Sequence, residues 1–190
     1  MISRFILNLL GWKIVSKFSD DIKKAVMVVA PHTSNWDFII GRLVFNAIGL
    51  NVKFLIKKEA FVFPLGFFLR KWGGIPVDRH KRTNIVDQVA ENFEGEDEIV
   101  IIITPEGTRS RVSKWKKGFY NIAQKANVPI VLGFLDYKRK EAGLGPVIKP
   151  DTAYDEVISI IKAFYKDKTG KYPENFNLEA IRGSIKGSHN

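Results

Sequence analysis

Two runs without a polar side chain read as strands buried on both faces: AVMVVA at residues 25–30 and IVIII at residues 99–103. Pro31 ends the first, and Pro105 stops the second. A strand that is apolar on both alternating faces has to be covered on both, which is the environment of a parallel sheet between helix layers. The remaining patterning supplies the partners. Residues 34–50 read as a helix, 52–56 (VKFLI) as a second strand and 75–77 (IPV) as a short third. A helix over 83–94 has Thr83 as its cap and Ile85, Val86, Val89, Ala90 and Phe93 facing inward. A helix at 118–126, strands at 129–135 and 146–149, and a helix at 153–168 complete the alternation. The expected fold is therefore α/β: one layered domain with a partly parallel, mixed sheet flanked by helices.

At 190 residues the chain is one domain in size, and no repeat, low-complexity tract or linker divides it. We place that domain at 21–175, between an N-terminal amphipathic helix (1–20) and a poorly patterned tail (176–190). In the N-terminal segment Ile2, Phe5, Ile6, Leu9, Leu10, Ile14 and Phe18 recur every three or four residues. Such a stripe either docks on the core or lies in a bilayer interface, with Trp12, Arg4, Lys13 and Lys17 at headgroup level. No segment reaches the length of a membrane-spanning helix.

Composition narrows the chemistry. With no cysteine, disulfides, thiolate metal sites and a cysteine nucleophile are excluded. Three histidines, His32, His80 and His189, make poor material for a zinc site, so neither metal nor cofactor is expected. The 30 basic and 20 acidic residues leave a net charge of +10. That favours an anionic partner such as nucleic acid, an acidic membrane, a phosphorylated ligand or an acidic carrier protein. There is no GxSxG elbow, P-loop or HExxH, so a covalent acyl-enzyme is not expected.

In open α/β sheets ligands gather at the carboxyl ends of strands, and two such ends carry unusual polar sets here. After the first strand comes HTSNWD (32–37). His32 in the loop and Asp37 in the first turn of the following helix can meet if the carboxylate folds back onto the imidazole, giving a competent general base. The plainer alternative has Ser34 capping a helix, Asp37 as its first-turn acid and His32 solvated. After IVIII comes TPEGTRS (104–110), with Gly107 in a turn and opposite charges at Glu106 and Arg109. A basic stretch follows: Arg109, Arg111, Lys114, Lys116 and Lys117, with Trp115 inside it. GGIPVDR (73–79) leads through a short strand to Asp78 and Arg79. The connection FVFPLGFFLRKWGG (61–74) is very apolar and reads as core, as an acyl-chain groove or as a membrane-facing wall.

Together these blocks resemble the lysophosphatidic acid acyltransferase family, the 1-acylglycerol-3-phosphate O-acyltransferases. HTSNWD is similar to the family's H-x-x-x-x-D motif, GGIPVDR to its second block, PEGTRS (105–110) to its third and VPIV (128–131) to its fourth. The resemblance implies an α/β acyltransferase that moves an acyl chain from acyl-CoA or acyl-carrier protein to a lysophospholipid hydroxyl. It implies His32 as the base, Asp37 as its orienting partner, and Arg79, Glu106, Gly107, Thr108 and Arg109 as the holders of the acceptor's phosphate. It also implies peripheral attachment at the cytoplasmic face of a membrane. Thr104 stands where the third block commonly has an aromatic residue, and Leu132 where the fourth often has a second proline. The short stretch before residue 25 leaves little room for a two-helix anchor. These departures bear on acceptor identity and attachment rather than on the transfer chemistry. Two rivals stand beside this reading: the same fold acting on another acceptor such as a lyso-aminolipid, and, remotely, a nucleic-acid-binding module.

Overall fold

The computed structural model describes residues 2–16, 21–78 and 85–182. Its elements are α1 (Ile2–Leu9), β1 (Lys13–Ile14), β2 (Lys24–Val29), α2 (Trp36–Ile48), β3 (Val52–Lys57), α3 (Leu65–Lys71) and β4 (Gly74–Val77). These are followed by α4 (Ile85–Ala90), β5 (Ile99–Ile103), α5 (Gly118–Ala126), β6 (Ile130–Asp136), β7 (Glu141–Ile148) and α6 (Tyr154–Tyr165). The strands make one sheet in the order β1-β7-β6-β2-β5-β3-β4. The β6–β7 pair is antiparallel and every other pairing is parallel, giving the mixed sheet that the alternation implied.

The two apolar runs are neighbours at the centre, with Lys24↔Ile99 through Val28↔Ile103 in register. Alternation then sorts their side chains. Val26, Val28, Ile99 and Ile101 join a core built with α4, α5 and α6. Ala25, Met27, Val100 and Ile102 face the other way, onto Phe45 of α2. Leu7 of α1 and Trp12 pack against Ile40 and Val44 of α2, so α1 rides on α2.

Three expectations are corrected. The N-terminal helix stops at Leu9, because Gly11 adopts φ +77° and the Trp12 N–H closes onto Leu7 O at 2.8 Å. Ile14 then belongs to an edge strand beside β7. Within α1 the buried residue is Leu7, whereas Ile2, Phe5 and Leu9 of the apolar stripe point outward; Lys17 and Phe18 lie outside the described residues. The final strand is also longer than 146–149, because β6 and β7 form a hairpin. Asp136 fixes its turn by accepting from the Lys138 and Arg139 N–H groups at 3.0 and 3.3 Å and pairing with Arg139 Nη1 at 2.7 Å. Finally, the tail is packed as far as it is described. Ala180 and Ile181 are buried, and the Trp115 N–H donates to Ala180 O at 3.0 Å. Thr83, the expected cap of α4, lies outside the described residues.

One irregularity shapes the site. β3 and β5 pair only as far as Phe54↔Ile102, while β3 runs on with β4 to Lys57↔Val77 and β5 with β2 to Val28↔Ile103. The carboxyl end of the sheet therefore splits between β3 and β5. Leu55, Ile102 and Thr104 at this split line cavities on both sides.

Candidate functional site

The loop after β2 brings His32 and Asp37 together. His32 Nδ1 stands 3.2 Å from Asp37 Oδ2, and that same oxygen accepts the backbone N–H groups of Thr33 and Ser34 at 2.8 and 2.9 Å. A carboxylate facing Nδ1 places the ring proton there and leaves the Nε2 lone pair as the basic site. Ser34 is not the cap of the following helix, which starts after Asn35, although its Oγ accepts the Trp36 N–H at 3.2 Å. Asp37, however, is buried and turned back onto the loop rather than solvated. Burial works to raise its pKa, but hydrogen bonds from His32, Tyr137 and Ser34 overcome it and hold the group below its ordinary value.

Tyr137 is the member of this cluster that sequence reasoning missed. Its hydroxyl donates to Asp37 Oδ1 at 2.7 Å from the β6–β7 turn, one hundred positions away in the chain. The Asp136 turn holds its backbone. Trp12 meets its ring edge-to-face, with centroids 5.0 Å apart. No local pattern announces such a contact. Gly170 was missed for the same reason: a Cβ there would lie 2.7 Å from Thr33 Oγ1 and 3.1 Å from Pro31, so only glycine lets this late loop press on the His32 loop. The Tyr172 N–H donates to Thr33 Oγ1 at 3.2 Å beside it.

The turn after β5 places its residues differently from expectation. Glu106 is only 4% exposed. Both of its carboxylate oxygens face the His32 N–H, at 3.2 and 3.1 Å. It lies beneath His32, whereas Arg109 is exposed. Burial pushes its carboxyl up to about 8, against the His32 N–H and with help from the Asp37 charge. Two neighbouring carboxyls thus keep different states near neutrality, Asp37 ionised and Glu106 protonated. The Glu106 carboxyl is turned to the His32 loop rather than to solvent.

Gly107 has φ +69°, and its N–H donates to Thr104 O at 3.0 Å. The Lys116 side chain lies over this position and could move aside, so it is the backbone angle that calls for glycine here. Thr108 is exposed, and its Oγ1 accepts the Ser110 N–H at 3.3 Å. Arg109 is exposed and reaches the wall shared with His32. Arg79 and His80 lie outside the described residues. The basic stretch does not form one continuous surface. Arg111 donates to Glu174 O and Phe176 O, Lys117 covers the Tyr154 ring, and Trp115 is buried.

His32, Asp37, Thr104 and Arg109 open on a cavity of about 360 Å³ between α2 and the sheet. Its walls are apolar, with Val44, Phe45, Ile48, Phe54 and Leu135 among them. Gly41, Gly133 and Gly143 also line it, so the space exists in part because side chains are missing there. An imidazole at the polar end of an apolar chamber suits chemistry at the head of a long hydrocarbon chain.

Comparison with known proteins agrees with this class. Residues 13–131 match the family described as Acyltransferase, and the chain belongs to that family. A chloroplastic 1-acyl-sn-glycerol-3-phosphate acyltransferase of Brassica napus is 30% identical over 105 residues, covering 53% of this chain and 30% of that protein. The chain therefore spans under a third of that relative's length. Among solved structures, PlsC of Thermotoga maritima, a 1-acyl-sn-glycerophosphate acyltransferase, shares the fold with a TM-score of 0.55 and 19% identity. That match covers 87% of this chain and 72% of PlsC.

Proposed function

We propose that the protein transfers a fatty acyl chain from an acyl thioester to the free hydroxyl of a lysophospholipid, lysophosphatidic acid first among them, giving phosphatidic acid. The observation that carries this reading is the His32–Asp37 pair at the polar end of an apolar chamber, with Arg109 beside it. The names of the similar proteins point to the same acceptor. Nε2 of His32 takes the hydroxyl proton as the acceptor oxygen attacks the thioester carbonyl. Asp37 steadies the imidazolium that forms. When the tetrahedral intermediate collapses, the carbon–sulfur bond breaks and the proton passes from His32 to the departing thiolate. A thioester is already activated, so a base contributing roughly 10²–10⁴-fold, together with positioning, supplies the acceleration without a covalent acyl-enzyme.

Arg109 binds the acceptor's phosphate with its planar fork; Arg79 is assigned to the same phosphate through its motif alone. Acyl-CoA and acyl-carrier protein both carry the negative charge that a chain of +10 attracts. The outward residues of α1, Ile2, Phe5 and Leu9, keep the enzyme peripheral at the cytoplasmic face of the membrane that holds its acceptor.

A panel of lysophospholipids and lyso-aminolipids, offered with acyl-CoA and acyl-carrier-protein donors and read by mass spectrometry, tests the reading. The expected product is phosphatidic acid from lysophosphatidic acid. Acylation of a lyso-aminolipid alone moves the acceptor to the rival reading, and no acylated product from any pair rejects acyl transfer.

A further inference from the structure

Among the described residues sixteen large apolar side chains are exposed, and thirteen belong to three segments: α1 with Leu10, the start of α2, and residues 62–72 around α3. These segments share one side of the sheet. α1 packs on α2, and α2 covers the Ala25, Met27 and Ile102 face. A Cβ at Gly74 would meet Ile56, Phe61 and the Leu69 carbonyl. Ile56 alternates onto the same face as Val52 and Phe54 of the α2 core, so α3 leans on that side too. None of the exposed large apolar residues lies on α4, α5 or α6.

The densest group is Val62, Phe63, Leu65, Phe67, Phe68 and Trp72, with Phe63 93% and Phe67 64% exposed. Soluble surfaces rarely leave so contiguous an apolar patch to water. Cations stand at both ends of it, Lys57 and Lys58 before and Arg70 and Lys71 after, against Glu59 as the one acid in 57–72. Arg70 sits over the Phe61 ring, 5.2 Å from its centroid. Lys58 is tied to Asp78 at 3.0 Å. An apolar tip with cations at its base matches hydrocarbon below anionic headgroups. Two copies of a chain at +10 repel each other, which argues against a second copy as the occupant.

We propose that residues 61–72 insert into an anionic bilayer as an anchor separate from α1, setting the α2 side of the sheet, with its cavity, against the lipid. The inference concerns attachment and stands independently of which acceptor is acylated.

The test uses the full chain with vesicles of phosphatidylcholine alone or mixed with phosphatidylglycerol. Binding rises with phosphatidylglycerol. In the F63S/F67S double variant, whose changes lie on exposed side chains, it falls about tenfold or more at unchanged melting temperature, given the usual worth of burying a phenylalanine. A second measurement follows Trp72. Lipids brominated on their acyl chains quench the wild-type fluorescence, and Trp72→Phe lowers that quenching, the remainder coming from Trp36 on the same side. Wild-type affinity in the double variant overturns the proposal, as does quenching unaffected by Trp72→Phe. A dimer that the double variant dissociates, with no vesicle binding by either protein, also overturns it and makes the patch an interface between copies.

Discussion

Asp37 accepts three hydrogen bonds on two oxygens besides facing the imidazole, and the one from Tyr137 reaches it from the β6–β7 turn. Removing that hydroxyl leaves the fold and the cavity in place but frees one carboxylate oxygen. Tyr137→Phe is therefore expected to lower kcat roughly five- to twentyfold, a part of the general-base contribution, with the KM for acyl donor unchanged. Because the bond helps hold the Asp37 pKa down, its loss raises that pKa, and the acidic limb of the kcat profile moves to higher pH. A reduced kcat with an unmoved pH profile contradicts this role. Glu106 makes the opposite kind of prediction. Its folded pKa, about 8, lies above the unfolded 4.5, so the native state binds the extra proton between those values. Stability from this group is complete below about 4.5 and is lost as pH rises through about 8. Glu106→Gln keeps an acceptor for the His32 N–H but has no proton to lose. Thermal melts should show the variant gaining on wild type across that window, by on the order of a few kcal/mol at most. Parallel melting curves from acid to alkaline pH contradict the buried-acid account.

At the scale of elements, α2 both delivers Asp37 and walls the cavity. A Cβ at Gly41 meets only Phe45, at 3.7 Å, so a longer side chain there grows into the chamber without a backbone clash. Gly41→Leu should keep or slightly raise stability, since glycine costs a helix interior about 1 kcal/mol, while shifting use toward shorter acyl chains. Product mass spectra across a donor chain-length series check this, and an unchanged chain profile puts the acyl chain elsewhere. Elements with strong periodic signals were legible in the sequence. AVMVVA and IVIII had to be central strands, and α2, α5 and α6 followed from their amphipathic spacing. The weak ones were not. Gly11 and Trp12 close α1 early through backbone angles that apolar periodicity does not encode. AGLGPVI becomes part of β7 because β6 and the Asp136 turn present it with a partner, despite its two glycines and a proline. The 61–74 segment holds a short helix, Leu65–Lys71, with exposed apolar side chains, where a sequence pattern alone allowed core, groove or membrane wall.

For the whole molecule, charge and shape act together. A chain of +10 with its exposed apolar residues gathered on the cavity side is expected to bind anionic vesicles in a salt-dependent way, losing affinity as ionic strength rises. Co-sedimentation across a salt series checks it; binding indifferent to salt would assign attachment to the apolar residues alone. The candidate site was legible where chemistry is local, in the His32–Asp37 spacing and the turn after IVIII. It was not legible where residues far apart in sequence converge, as Tyr137, Gly170 and the carboxylate of Glu106 do. The central claim is that the His32–Asp37 pair performs acyl transfer. Its most direct measurement is turnover of acyl thioester and lysophosphatidic acid by wild type and His32→Ala side by side, with melting curves to show that both are folded. The account predicts phosphatidic acid from wild type and loss of nearly all turnover in the variant. A folded His32→Ala protein that keeps more than about a tenth of wild-type turnover would contradict it.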